Sequence, residues 1–178
     1  NLHISAIGLS SAMHSFMAVD DSFTPLSDLI IWSDTRASQY SKKLKEDPAF
    51  SNFMNSMNVP VHPMLPLVKW LWYLENGNGK VFKVLSLKDY LIWHWFGQCT
   101  SDVSLAGSTG YFNIHSLCWD TQLLAALNLS ADMLPEIAPA TKILTQWTAT
   151  SRNNFSRFHL PPVVLGSSDG CLANLAAG

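Results

Sequence analysis

Apolar positions open the chain in one short, dense run. His3 to Ser10 (His-Ile-Ser-Ala-Ile-Gly-Leu-Ser) has the pattern of a buried strand. Ser15 to Asp20 (Ser-Phe-Met-Ala-Val-Asp) reads as a second strand, closed by an Asp20-Asp21-Ser22 turn. Asp28 to Trp32 reads as a third, so an antiparallel or mixed sheet is expected here. Helical periodicity follows. Ala37 to Glu46 ends in Lys42, Lys43 and Lys45, which complement the dipole of a helix C-terminus. Asp47 is placed to cap a following helix, with Pro48 at its first position. Pro66 to Asn76 is apolar nearly all round and stops at Gly77, a common C-terminal residue. Ser86-Leu87-Lys88-Asp89 is a capping box before Tyr90 to Phe96, and Gly97 ends that helix. Trp119 to Leu127 reads as a further helix, and Thr148 to Ser156 as an exposed polar loop. Pro161 to Leu165 is a short buried strand that runs through Gly166-Ser167-Ser168-Asp169-Gly170 into a small-residue helix, Cys171 to Ala177. The sum is an α/β domain without internal repeats.

Composition narrows the function classes. The 178 residues are 48% hydrophobic, enough for one core. Only 13% are charged and the formal net charge is −2, with no basic cluster able to neutralise several phosphates, so no nucleic-acid partner is expected. No apolar run reaches about 18 residues, so no membrane span and no membrane partner are expected. Three widely spaced cysteines, Cys99, Cys118 and Cys171, form no CxxC, which argues against zinc and against a disulfide framework. That usage, with no charged-then-apolar leader, sets the expectation of a cytoplasmic protein. A first residue Asn1 and a last stretch of helix-like residues read as a piece of a longer protein.

Four stretches have chemistry. Asp169 sits on a glycine-flanked turn between strand and helix, where a carboxylate can take a proton from a substrate hydroxyl. Asp is also a good helix cap, and the local sequence leaves both open. Ser10 to Ser15 ends the first strand and contains Met13 and His14. Trp32-Ser33-Asp34-Thr35-Arg36 places a carboxylate and a guanidinium where a strand gives way to a helix; Asp34 can cap, and Arg36 can pair with it or hold a substrate oxygen. Val61 to Trp70 brings His62 and Met64 to the start of an apolar helix that contains Lys69, which needs a partner or a route to water; an ion pair is the simple expectation. A GxxxxGK[ST] loop and a GxGxxG turn are both missing from the sequence.

Taken in order, these stretches resemble the FGGY carbohydrate kinases. Gly8-Leu9-Ser10-Ser11-Ala12-Met13-His14-Ser15 resembles the Gly-x-Ser-x-Gln-Met-His-Gly of xylulokinases, without its Gln, and Ile31 to Arg36 resembles their Trp-x-Asp-x-Arg. Met64 to Asn76 nearly fits the first family signature, with Tyr73 where an aliphatic residue or Phe is usual. Thr100-Ser101-Asp102-Val103-Ser104-Leu105-Ala106 resembles Thr-Asp-x-Ser-x-Ala with Ser101 inserted. Gly166-Ser167-Ser168-Asp169-Gly170 resembles the Gly-Gly-Gly-Asp-Asn turn of the catalytic aspartate. Ser-Ser-Ala-Met-His-Ser, His-Pro-Met and Ser-Asp-Gly-x-x-x-Asn are similar to the gluconokinase branch; Gly170 stands where xylulokinases and glycerol kinases carry an amide.

The resemblance implies a ribonuclease-H-like, actin-like ATPase domain. Residues 1–178 would be most of its N-terminal sugar-binding domain, without the opening Asp-x-Gly-Thr strands and without the C-terminal nucleotide domain. The full-length parent would use ATP and Mg²⁺ to phosphorylate the terminal hydroxyl of a sugar acid, gluconate to 6-phosphogluconate, while this chain alone would be inactive. Asp169 would be the base. Met13, His14, Met64, Gly170, Asp34 and Arg36 would meet the sugar, with Arg36, His14 or His62 facing the carboxylate. The rivals are a kinase of a neutral sugar such as xylulose, a non-catalytic sugar-binding module, and a structural dimerisation domain. The oligomeric state, a homodimer included, is left open.

Overall fold

The computed structural model describes residues 4–50, 53 and 59–178. Its elements run β1 (Ile7–Ser11), β2 (Met17–Val19), α1 (Ser38–Glu46), α2 (Pro66–Asn76), β3 (Lys83–Leu85), α3 (Leu87–Phe96), β4 (Thr100–Asp102), α4 (Val103–Gly107), β5 (Phe112–Asn113), β6 (Cys118–Trp119), α5 (Thr121–Ala126), β7 (Glu136–Ala138), β8 (Ile143–Leu144), α6 (Ala149–Asn154), β9 (Val163–Ser168) and α7 (Asp169–Ala177). A 3₁₀ turn, Ala131–Met133, precedes β7.

The sheets correct the expectation of three strands in succession. β1 pairs in parallel with the distant β9, and β8 adds antiparallel to the other edge of β9, giving the order β1-β9-β8. β2 pairs instead with β3, and β4 pairs in parallel with β7. The third expected strand, Asp28 to Trp32, reduces to a bridge between Phe16 and Ile30. The reason is local: the Ile30 and Ile31 carbonyls accept from the Lys69 ammonium, and the Ile31 carbonyl also accepts from Asp34 N, so the chain turns out of the ladder. The first strand starts at Ile7, not at His3, which lies outside the described residues.

Helix ends follow capping chemistry. Ser86 and Asp89 close the expected box, each side chain bonding the other's backbone N–H, and Gly97 ends α3 in the left-handed region at φ 68°. Gly77 is a different case. Its φ is −80°, and its role is space: a Cβ there would lie 2.5 Å from the Tyr73 ring. Asp120 caps α5, so that helix begins at Thr121 and leaves Trp119 in β6. The expected loop from Thr148 to Ser156 holds a short helix, α6, because the Thr148 hydroxyl accepts from Ser151 N. Asp47 accepts from Ala49 N, and Pro48 to Phe50 are helical; apart from Phe53, residues 51–58 lie outside the described residues.

The main core gathers around α2, where Leu65, Leu67, Val68 and Trp70 meet Phe16, Ile30 and Tyr40. A second cluster, with Ile92, Trp147, Val163 and Leu165, packs beneath the β1-β9-β8 sheet. Each such side chain contributes about 1.5–3 kcal/mol when fully buried. The two cores fix the C-terminal ends of β1 and β9 side by side, and that edge carries the candidate site. Among the described residues no helix is long and apolar enough to cross a membrane.

Candidate functional site

β1 and β9 run parallel, so the segments that leave them emerge at the same end. Ser10 pairs with Ser167 and Ser11 with Ser168, which sets Met13 and His14 beside Asp169 and Gly170. Met64, just before α2, closes the opposite side. Together with Trp32 and Ala173 these residues line a cavity of about 400 Å³. Five of the seven positions expected from sequence, Met13, His14, Met64, Asp169 and Gly170, therefore converge.

Asp169 is the first residue of α7, and it is not the cap. Ser168 is: its hydroxyl accepts from Cys171 N. The Asp169 carboxylate is exposed at the cavity, with Oδ1 accepting from Gly170 N at 2.8 Å. Gly170 leaves room for Met13, whose Cε would lie 2.7 Å from a Cβ at that position.

His14 holds a left-handed backbone, φ 61°, which costs a non-glycine residue about 1 kcal/mol or more. Its Nδ1 lies 2.8 Å from the Ser108 carbonyl. A carbonyl only accepts, so Nδ1 carries the proton and, in the neutral ring, Nε2 is an acceptor. Burial lowers the His14 pKa, Lys69 and His62 lower it further, and the Ser108 bond and Asp169 oppose them. His14 is thus a neutral acceptor at neutral pH and not a cation.

Lys69 explains how this backbone is held. The side chain is fully buried, and Nζ donates to the carbonyls of His14, Ile30 and Ile31. The expected ion pair is replaced by three carbonyls, which pin the turn after β1 and the segment leading to Trp32 onto α2. Burial pushes the ammonium down to about 8, with Asp34 opposing and Arg36 adding to the shift.

Asp34 and Arg36 do not line the cavity. They pair with each other, Arg36 Nη2 to Asp34 Oδ2 at 2.8 Å, and Arg36 Nε reaches both carboxylate oxygens. That bond holds the Asp34 carboxyl below its usual range. The guanidinium lies 5.0 Å from the Trp72 ring centroid. Asp34 bonds Arg36 N and does not cap α1, whose N-cap is Ala37. His62 Nδ1 accepts from Met64 N.

Two lining residues escaped the sequence reading. Trp32 stands in a motif already noted and is 59% exposed at the cavity. Ala173 follows Gly170 by one helical turn, the spacing that places both on one face of α7. A second cavity of about 400 Å³ lies elsewhere, walled by Ile7, Trp95, Trp147, Phe155 and Phe158. Its lining is aliphatic and aromatic apart from His159. Among the described residues no three His, Cys, Asp or Glu side chains converge as a metal site.

Comparison with known proteins agrees with this geometry. The model of the FGGY family of carbohydrate kinases, N-terminal domain, matches residues 1–176. The gluconokinase of Bacillus subtilis (strain 168) is 33% identical over 175 residues, covering 97% of this chain and 34% of that protein. The crystal structure of gluconate kinase from Lactobacillus acidophilus superposes with a TM-score of 0.88 at 29% identity, over 97% of this chain and 36% of its own. The ligand-bound xylulose kinase of the same organism superposes at 0.90 with 28% identity, over 98% and 36%. The chain thus spans about a third of the length of these relatives. The parallel β1-β9 edge, the ordered motifs and these matches agree: the chain has the actin-like ATPase fold and belongs to the FGGY family of carbohydrate kinases, as part of the N-terminal domain.

Proposed function

We propose that the parent protein is an ATP-dependent sugar-acid kinase that converts gluconate to 6-phosphogluconate, and that this chain supplies its sugar site. The observation that carries the proposal is the position of Asp169, a carboxylate left free of capping by Ser168 and exposed at a cavity lined by His14, Met13 and Met64. Support for gluconate comes from the gluconokinase relative and the gluconate kinase structure.

Asp169 takes the proton from the terminal hydroxyl of the open-chain substrate. The freed oxygen attacks the γ-phosphorus of ATP in line, the bond to the β–γ bridging oxygen breaks, and ADP leaves. Positioning does most of the remaining work. Neutral His14 accepts a hydrogen bond from a substrate hydroxyl through Nε2. Met13 and Met64 pack their flexible thioethers against the carbon chain. Among the described residues no three His, Cys, Asp or Glu side chains converge, and no step here passes through Mg²⁺; ATP with its Mg²⁺ would lie mainly against the rest of the parent. A cytoplasmic setting suits ATP chemistry and the three free thiols.

One observation favours a second reading, a kinase of a neutral sugar. No Lys or Arg lines the described cavity, His14 is neutral, and Arg36 is occupied by Asp34. The test is a substrate panel on the full-length parent with ATP and Mg²⁺, coupled to ADP release. Turnover with gluconate well above xylulose, glycerol and ribulose is expected. Preference for a neutral sugar would replace the substrate and keep Asp169. Absence of turnover with all four would turn the reading toward a binding module.

A further inference from the structure

The Thr-Ser-Asp-Val-Ser stretch has no place in the sugar cavity, yet its side chains reach the turn that carries Asp169. Asp102 is fully buried at the end of β4, and Lys88 from α3 approaches it at 2.6 Å between Nζ and Oδ2, itself only 2% exposed. The contact is a charge pair without hydrogen-bond alignment, and neither atom has a hydrogen-bond partner among the described residues. The other oxygen, Oδ1, caps α4, accepting from Ser104 N at 2.9 Å, from Leu105 N at 3.3 Å and from the Ser104 hydroxyl.

Hydrogen-bond directions then follow. The single Ser104 hydroxyl proton goes to Asp102, which can only accept when ionised. Both Ser104 lone pairs are left to accept, and two donors meet them: Ser167 Oγ at 2.8 Å and Ser168 N at 2.8 Å. Ser168 is the cap of α7 and the residue before Asp169, and its side chain is fully buried. A chain of polar contacts therefore runs from a buried ion pair, through one hydroxyl, to the backbone that aims Asp169.

We infer that Ser104, oriented by the Lys88–Asp102 pair, is a positioning residue that fixes the β9–α7 turn so that the Asp169 carboxylate faces the reacting hydroxyl. Ser104 does not touch the cavity; it acts through the Ser168 amide. Ala at 104 would leave that buried amide and the Ser167 hydroxyl without their acceptor, whereas Thr keeps the oxygen. The inference rests on the reading of Asp169 as the base.

The experiment compares Ser104→Ala, Ser104→Thr and Asp169→Asn in the full-length parent, by steady-state kinetics and by hydrogen–deuterium exchange of the peptide spanning the β9–α7 turn. Misplacement of a reacting group by about 1 Å costs on the order of a hundredfold. Ser104→Ala is expected to lower kcat about tenfold to a hundredfold, to change the sugar KM less than about threefold, and to speed exchange in that peptide more than elsewhere. Ser104→Thr is expected to restore both readouts. Wild-type kcat with unchanged exchange in Ser104→Ala would overturn the inference. So would a loss spread evenly over kcat, KM and exchange of the whole domain, which marks general loosening. If Asp169→Asn retains turnover, the base assignment fails separately, and the exchange readout still decides whether Ser104 holds the turn.

Discussion

Replacing Gly166 by Ala in the parent protein probes the geometry on which the site depends. Gly166 lies in β9 at φ 68°, where β1 and β9 slip register between Gly8 and Ser10. An alanine Cβ there would stand 1.8 Å from the Leu9 carbonyl oxygen, 2.8 Å from its carbon and 3.0 Å from its nitrogen. These are backbone atoms of the paired strand, so no rotamer relieves the clash, and the strands must part by at least about 1.2 Å. The left-handed conformation costs an L-residue about 1–2 kcal/mol, and forced backbone shifts cost about 1–3 more. The expected loss is therefore about 2–5 kcal/mol. Gly8 supplies the control on the facing strand: a Cβ there would meet nothing within 4 Å, and Ala is expected to be neutral or stabilising by up to about 1 kcal/mol. Urea unfolding followed by tryptophan emission reads both, since Trp95 and Trp147 belong to the core beneath this sheet. The slip also sets the path to Asp169, so kcat should fall with Gly166→Ala. An unfolding free energy for Gly166→Ala within about 0.5 kcal/mol of the Gly8→Ala protein would refute the close-approach reasoning.

Lys69→Met removes the three-carbonyl clamp while keeping an apolar stem; each hydrogen bond from a charged group contributes about 1.5–3 kcal/mol, and relief of the cost of burying the ammonium offsets part of the three, so a fall of about 2–4 kcal/mol in unfolding free energy with a sugar KM raised about tenfold is expected, measured by urea titration and kinetics. The His14 pKa is lowered in the folded chain, so protons bind the unfolded chain more readily; the stability this gives is complete above the ordinary His value of about 6.5 and is lost as pH falls through the folded value. Unfolding curves from pH 8 down to 5 should show that loss in the wild type and less of it in His14→Gln. Burial pushes the Cys99 thiol up to about 11, so a thiol reagent at pH 8 should label the exposed Cys118 and Cys171 quickly and Cys99 slowly, read by mass spectrometry.

Elements whose signals are local were legible in the sequence. The capping box at Ser86 and Asp89 and the apolar run Pro66–Asn76 specify α3 and α2 through neighbours three or four residues away. Sheet partners were not legible, because the pairing of β1 with β9 joins residues more than a hundred and fifty positions apart and depends on both cores being packed. Lys69 was recognised as a buried charge in need of a partner, but its partners are backbone carbonyls, which every residue has and no pattern distinguishes. The Asp34–Arg36 pair was one of two outcomes the sequence left open, and the geometry selects it. The Ser104 contacts were invisible for the same reason as the sheet: a serine two residues after an aspartate reads as a helix start until β9 is brought against it.

The most direct test of Asp169 as the catalytic base is Asp169→Asn in the full-length parent, with ADP release and sugar binding measured side by side on the preferred substrate of the panel. A fall in kcat of a thousandfold or more, with sugar binding within about threefold of wild type, is the predicted result, since general-base removal costs about 10²–10⁴-fold and positioning adds to it. Turnover close to wild type would contradict the assignment and leave the cavity as a binding site whose chemistry lies elsewhere.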